Sequence, residues 1–147
     1  MIMRKRNADA ATVFSLEQAT AMLPLLRLIV ADISYGHREL TSRRADLHSL
    51  IRRKKLQTDE LYSDEVEETR QDLVTESHQL DEYISELENL GVILRSAQDG
   101  IVNFPTLVDD KGAFFIWRMG DSDITHWHWP SEGYVDRKLI ANLVVRR

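Results

Sequence analysis

From residue 66 to residue 87 an apolar side chain returns at every seventh position: Val66, Leu73, Leu80 and Leu87. A period of seven is two helical turns, so these four side chains form one narrow seam that must meet a second apolar stripe. Tyr83, Ile84 and Leu90 support the seam, and Gly91 is the residue that a helix end favours. The spacing predicts a helix from about Asp64 to Leu90. Upstream the same period recurs, with Leu26, Ile33, Leu40 and Leu47 in one phase and Ile29 and Leu50 in the other. Gly36 and Arg43 occupy that second phase, so this seam should be close-packed at one level and polar at another. Two such helices joined by the polar stretch Gln57 to Ser63 make an antiparallel hairpin, roughly 40 Å long at 1.5 Å per residue.

A helix start precedes them. In Phe14-Ser15-Leu16-Glu17-Gln18, Ser15 and Gln18 have the spacing of a capping box, with Phe14 and Ala19 as the apolar pair around it. Pro24 should interrupt this helix or open a second one, because it has no N–H to donate. The long helix is also widened by Leu25, Leu28 and Val30, which leaves apolar area for the C-terminal part or for a second copy of the chain.

After Gly91 the period changes to that of strands. Val92 to Arg95, Ile101 to Val108, Ala113 to Met119 and Ile124 to Trp129 are rich in β-branched and aromatic residues. Gln98-Asp99-Gly100, Asp109 to Gly112 and Gly120 to Asp123 separate them with turn chemistry. A small antiparallel meander follows. Pro105 should mark an edge strand or a bulge. Both faces of the third segment are apolar, Phe115, Trp117 and Met119 on one and Phe114 and Ile116 beside Arg118 on the other, so a second covering layer is expected. Glu132 to Arg147 is compatible with a closing strand or a docked helix.

Composition narrows the function. A formal net charge of -5, from 19 basic and 24 acidic residues, gives no field for nucleic acid or an acidic membrane. The runs Arg4-Lys5-Arg6 and Arg146-Arg147 read as solvated tails. With no cysteine there is no disulfide, thiolate nucleophile or thiolate metal site. No apolar run reaches membrane-spanning length and none reads as a signal peptide, so a soluble cytoplasmic protein is expected. G-x-S-x-G, P-loop and G-x-G-x-x-G patterns are absent from the chain.

What chemistry remains gathers in Trp117-Arg-Met-Gly-Asp-Ser-Asp-Ile-Thr-His-Trp-His-Trp-Pro130, which holds all three tryptophans. His126 and His128 fall on one face of a strand, and with Glu132 they could give a divalent metal three ligands and open positions. The spacing Gly120-x5-His126-x-His128-x3-Glu132 resembles the first motif of the cupins, whose second motif has no counterpart here. Against a metal stands packing alone, with the histidines hydrogen-bonded to turn carboxylates such as Asp121 or Asp123. Arg118, whose charge cannot be removed, requires a carboxylate or a ligand anion, with Asp121 or Asp123 as the internal choice. His37, His48 and His78 sit among charged neighbours and read as solvated.

"FSLEQATAMLPLLR" (14 to 27), "LENLGVIL" (87 to 94), "GIVNFP" (100 to 105), "WRMGDSDITHWH" (117 to 128) and "GYVDRKLI" (133 to 140) together resemble a bacterial family, domain of unknown function 2203. The resemblance spans nearly the whole chain and implies no activity. In the family pattern an Asp often stands near position 96 and another at 103, where this chain has Ser96 and Asn103. Position 126 is not characteristically His. The resemblance leaves Trp117, Arg118, Asp121, Trp127 and His128 as the family-like cluster.

The expectation is therefore one α+β domain over residues 1–147. It has a short N-terminal helix, a helical hairpin within 14–91 and a β-meander within 92–147. A non-enzymatic interaction or assembly module is expected, acting as a homodimer, with another protein as a further partner through the hairpin and neither nucleic acid nor membrane bound. No catalytic residue and no cofactor is expected. The competing expectation is a divalent-metal or small-anion site on the sheet, with His126, His128 and Glu132 as ligands, Arg118 steering an anion and metal-dependent catalysis as its consequence.

Overall fold

The computed structural model describes residues 13–54 and 60–143. The basic run at Arg4, residues 57–59 of the expected helix connection, and Val144 to Arg147 lie outside the described residues. Helix α1 is Leu16–Ala21, α2 is Leu23–Lys54 and α3 is Glu60–Asn89. The Ser15 hydroxyl accepts from the Gln18 N–H at 3.0 Å while the Gln18 side chain accepts from the Ser15 N–H at 2.9 Å, the reciprocal box that the sequence predicts. Met22 ends α1 by donating to Ala19, and the Leu26 N–H returns to Met22 at 2.9 Å. Pro24 is thus the second residue of α2, in the first turn, where a backbone N–H has no intrahelical acceptor to lose.

The seam is as its period implies. Leu26, Ile29, Ile33 and Leu40 on α2 and Val66, Leu73, Leu80 and Leu87 on α3 are buried. Both irregular slots are filled from the opposite helix. A Cβ at Gly36 would lie 3.5 Å from Leu80 Cδ1, so the helices approach closely there, and one heptad later Arg43 pairs with Glu76. As the partner's number rises along α2 it falls along α3, so the helices are antiparallel. At the end of α3 the Gly91 N–H donates to Glu88 and the Val92 N–H to Leu87, with Gly91 at φ 90°. That is a Schellman end, which turns the chain into the sheet.

Among the described residues the sheet has five antiparallel strands in sequence order: β1 Ile93–Ser96, β2 Ile101–Val108, β3 Lys111–Arg118, β4 His126–His128 and β5 Lys138–Leu139. Val108 pairs with Lys111 across a two-residue loop, Asp109 and Asp110, at φ 52° and 65°. Two successive positive φ values make a type I′ turn, the hand that matches strand twist. Val102, Phe104, Phe115, Trp117 and Trp127 face the helices and join the core with Val30.

Pro105 corrects an expectation, since β2 is an interior strand and is not bulged at that point. The irregularity lies in β1, between Leu94 and Ser96, and β1 reaches only as far as Asn103. Beyond that reach the Pro105 carbonyl accepts from the Phe14 N–H at 2.7 Å. A strand residue's nitrogen and carbonyl point the same way, so the missing N–H faces a side that has no strand partner. Of the two forms expected after Glu132, the described residues show a closing strand in short form, since β5 pairs with β4 at the edge of the sheet. This two-residue strand stands between two 3-10 turns, Tyr134–Asp136 and Ile140–Asn142.

Candidate functional site

The register divides the Trp-His segment between two faces. Phe115 opposes Trp127, and Phe114 and Ile116 oppose His128 and His126. Trp117 and Trp127 therefore point into the core, while Arg118, His126 and His128 share the outer face with Asn103. The expected layer over that face comes from the chain after β4. The Tyr134 ring lies against Arg118, whose guanidinium carbon is 5.5 Å from the ring centre, and Arg137 stacks on the same ring at 3.9 Å. Asn103, Ile116 and His128 are buried on this face.

Three of the five cluster residues meet in one turn. The Asp121 N–H donates to the Arg118 carbonyl at 2.9 Å, with Gly120 at φ 105° as a type II turn requires. The Trp117 indole donates to the Asp121 carbonyl at 2.9 Å, and the Arg118 N–H donates to the Asp121 carboxylate at 3.3 Å. Asp121 thus holds the backbone of Arg118. The guanidinium goes elsewhere, to Asp99 at 3.7 Å, which corrects the choice of Asp121 or Asp123. Its pKa is raised above the ordinary value, first by the hydrogen bond to Tyr134 and further by the carboxylates of Asp99 and Asp121.

His128 and Trp127 complete the cluster separately. His128 Nδ1 lies 2.7 Å from the Trp129 carbonyl and Nε2 lies 3.2 Å from the Asn103 side-chain amide, so neither turn carboxylate is its partner. Because the Trp129 carbonyl can only accept, the neutral ring carries its proton on Nδ1. The Asn103 amide, which can turn either end to the ring, satisfies Nε2. Trp127 packs edge-on against Trp129 at 4.8 Å, with the Lys138 ammonium 5.1 Å from its ring centre.

The three expected metal ligands are placed on other duties. His126 Nδ1 pairs with the Thr125 hydroxyl at 2.8 Å, and both nitrogens of His128 are occupied. Glu132 accepts from the Trp129 N–H at 3.0 Å and from Lys138 at 2.5 Å. Lys138 first, and then the Trp129 N–H, hold the Glu132 carboxyl below its ordinary pKa. Among the described residues no three His, Asp or Glu side chains stand together in a way that could hold a metal ion. Nor is any buried side-chain nitrogen or oxygen among them left without a hydrogen-bond partner.

Asn103, Asp99, Tyr134 and Lys138 are the residues that sequence reasoning missed. Asn103 did carry a signal, since an amide in the apolar run Ile101 to Phe104 must find a partner when buried. Both departures from the family pattern hold internal bonds, because Ser96 also accepts from the Asp99 N–H at 3.1 Å.

Two grooves flank the helical seam instead. On one side Arg44, Leu47, Glu67, Arg70, Leu73 and Val74 line a groove of about 580 Å³. On the other, Asp32, Tyr35, Glu39, Arg43, Glu76 and Tyr83 surround Gly36 in a groove of about 340 Å³. No helix among the described residues is long and apolar enough to cross a membrane. The chain has no match among curated proteins or solved structures. The family described as "Uncharacterized conserved protein (DUF2203)" matches residues 12–140, nearly the whole chain and both halves of the fold, and the protein belongs to that family.

Proposed function

We propose that the protein is a non-enzymatic interaction module which acts as a homodimer and uses its helical hairpin, not its Trp-His sheet, as the working surface. The observation that carries this reading is Val74, which is 48% exposed between Leu47 and Leu73 in the larger groove. Arg44 stands two heptads beyond Val30, so this groove continues the flank that the sheet covers nearer the base of the hairpin. There Ser34 and Arg38 donate to the Gln98 carbonyl. Farther out the same flank has apolar side chains and, among the described residues, no covering layer. Its rim carries both signs of charge, Arg44 and Arg70 beside Glu67, as a surface that meets its own copy requires.

The sheet cluster supports the reading from the opposite direction. Its polar atoms bond one another, which is how a structural core behaves, whereas a binding site presents groups aimed at an absent partner. Light scattering on the full chain should show a dimer, and Val74→Lys should shift it to monomer without changing the melting temperature of the fold. A strict monomer at high concentration would remove this function. Melts with zinc, iron and manganese test the competing metal expectation, and a rise in melting temperature that His128→Asn abolishes would restore it.

A further inference from the structure

The second flank of the hairpin differs in charge as well as in shape. Helix α3 contains eleven acidic residues and one arginine, and α2 contains seven basic and three acidic ones. Toward the tip the two signs stand together, with Arg43, Arg44, Arg52 and Arg53 on α2 and Asp64, Glu65, Glu67 and Glu68 on α3. Toward the base the balance fails. The two α2 cations there are turned to the sheet side, Arg27 to the Ser122 carbonyl and Arg38 to the Gln98 carbonyl.

The uncompensated carboxylates share one side. Asp32 and Glu39 hold the same heptad position on α2, Glu86 lies on the same side of α3 one heptad from Gln79, and among the described residues none of these three has an ion-pair partner. Apolar groups lie along the same flank. Leu25 shares the heptad position of Asp32, and Leu28 shares that of Tyr35; they are 46%, 67% and, for Tyr35, 67% exposed. Gly36 lowers the floor between the helices, where Leu80 and Tyr83 line the groove.

We infer that this flank docks a basic amphipathic helix of a partner protein, its apolar side on Leu25, Leu28 and Tyr35 and its lysines or arginines on Asp32, Glu39 and Glu86. Charge complementarity selects that occupant over a second copy. The chain's own basic helical stretch is on α2, where Arg43 already pairs with Glu76 and Arg44 shares a groove with Glu67, and a copy presenting α3 would bring carboxylate to carboxylate. This inference rests on the hairpin being the recognition surface.

The probe is a synthetic amphipathic Leu-Lys helical peptide, compared with its Leu-Glu counterpart by chemical-shift mapping on the full chain. The Leu-Lys peptide should bind, shift residues 25–39 and 76–86, and weaken as salt is raised. Asp32→Lys/Glu39→Lys should weaken binding by at least ten-fold, and Leu28→Ser, which leaves the charge unchanged, by several-fold. Asp81→Lys/Glu88→Lys, the same charge change off this flank, should alter it less than two-fold. Equal binding of the Leu-Glu peptide, shifts centred elsewhere, or equal effects of the two double substitutions would overturn the inference. So would a dimer that Leu28→Ser dissociates, since a second copy would then be the occupant. Val74→Lys keeps the two readings apart: loss of the dimer with the peptide still bound confirms both, and a monomeric parent that binds the peptide removes only the dimer.

Discussion

At the scale of single residues, the segment richest in chemical groups is the one most fully bonded to itself. His128 fills its place in the outer layer and bonds on both sides, so His128→Ala should cost about 2–4 kcal/mol in urea unfolding, from the cavity and the orphaned Asn103 amide together. Gly100 is under a different constraint. It sits at φ 69°, and a Cβ there would lie 2.7 Å from Met119 Cβ and 3.2 Å from Val30 Cγ1. Gly100→Ala should therefore destabilise by about 1–3 kcal/mol, whereas Gly112→Ala, with nothing within 4 Å, should change stability by less than about 0.5 kcal/mol. Glu132 adds a pH signature. Its folded pKa is depressed, so its contribution is complete above the ordinary carboxylate range and disappears as pH falls through the lower folded value. Melting of the parent and of Glu132→Gln should differ at neutral pH and converge in acid. A gap that stays constant down to acid pH would show that Lys138 and the Trp129 N–H do not hold the carboxylate.

At the scale of elements, the heptads state the hairpin almost completely, because a seam of period seven has one way to be buried. They also mark where the helices touch most closely. Gly36→Ala should raise stability by about 0.5–1 kcal/mol, since α2 gains helix propensity and the new methyl meets Leu80 at 3.5 Å, an ordinary contact. The much larger Gly36→Leu should instead force the helices apart and lower the urea midpoint. In the sheet, Asp109 and Asp110 are held at positive φ, so Asn-Gly in their place should stabilise the β2/β3 hairpin by about 0.5–1 kcal/mol in the same assay. The strands themselves were legible, because alternation and turn residues are local signals. The partner of Arg118 was not. Asp99 reaches it through the β1/β2 turn, whose register depends on an irregularity between Leu94 and Ser96 that no local pattern announces. The last segment was illegible for a related reason, since its two-residue strand and short turns are fixed by contacts with β4 and Arg118 and have no period of their own.

At the scale of the whole molecule, sheet and hairpin differ in what they leave open. The sheet covers one flank of the hairpin near its base, and the chain after β4 covers the outer face of the sheet. Among the described residues that leaves the outer groove around Val74 and the acidic flank around Tyr35 open. The widening of α2 seen in its sequence resolves the same way: Val30 enters the core, while Leu25 and Leu28 remain exposed. The cluster of Trp117, Arg118, Asp121, Trp127 and His128 bonds and packs within the sheet, and the proposal places the partner on the hairpin. The most direct measurement is dilution of the full chain while following methyl signals of Leu47, Leu73 and Val74 together with the indole N–H signals of Trp117 and Trp127. The methyl signals should move as the dimer dissociates and the indoles should stay fixed. Indole shifts without methyl shifts, or no change in a molecule monomeric throughout, would contradict the assignment of function to the hairpin.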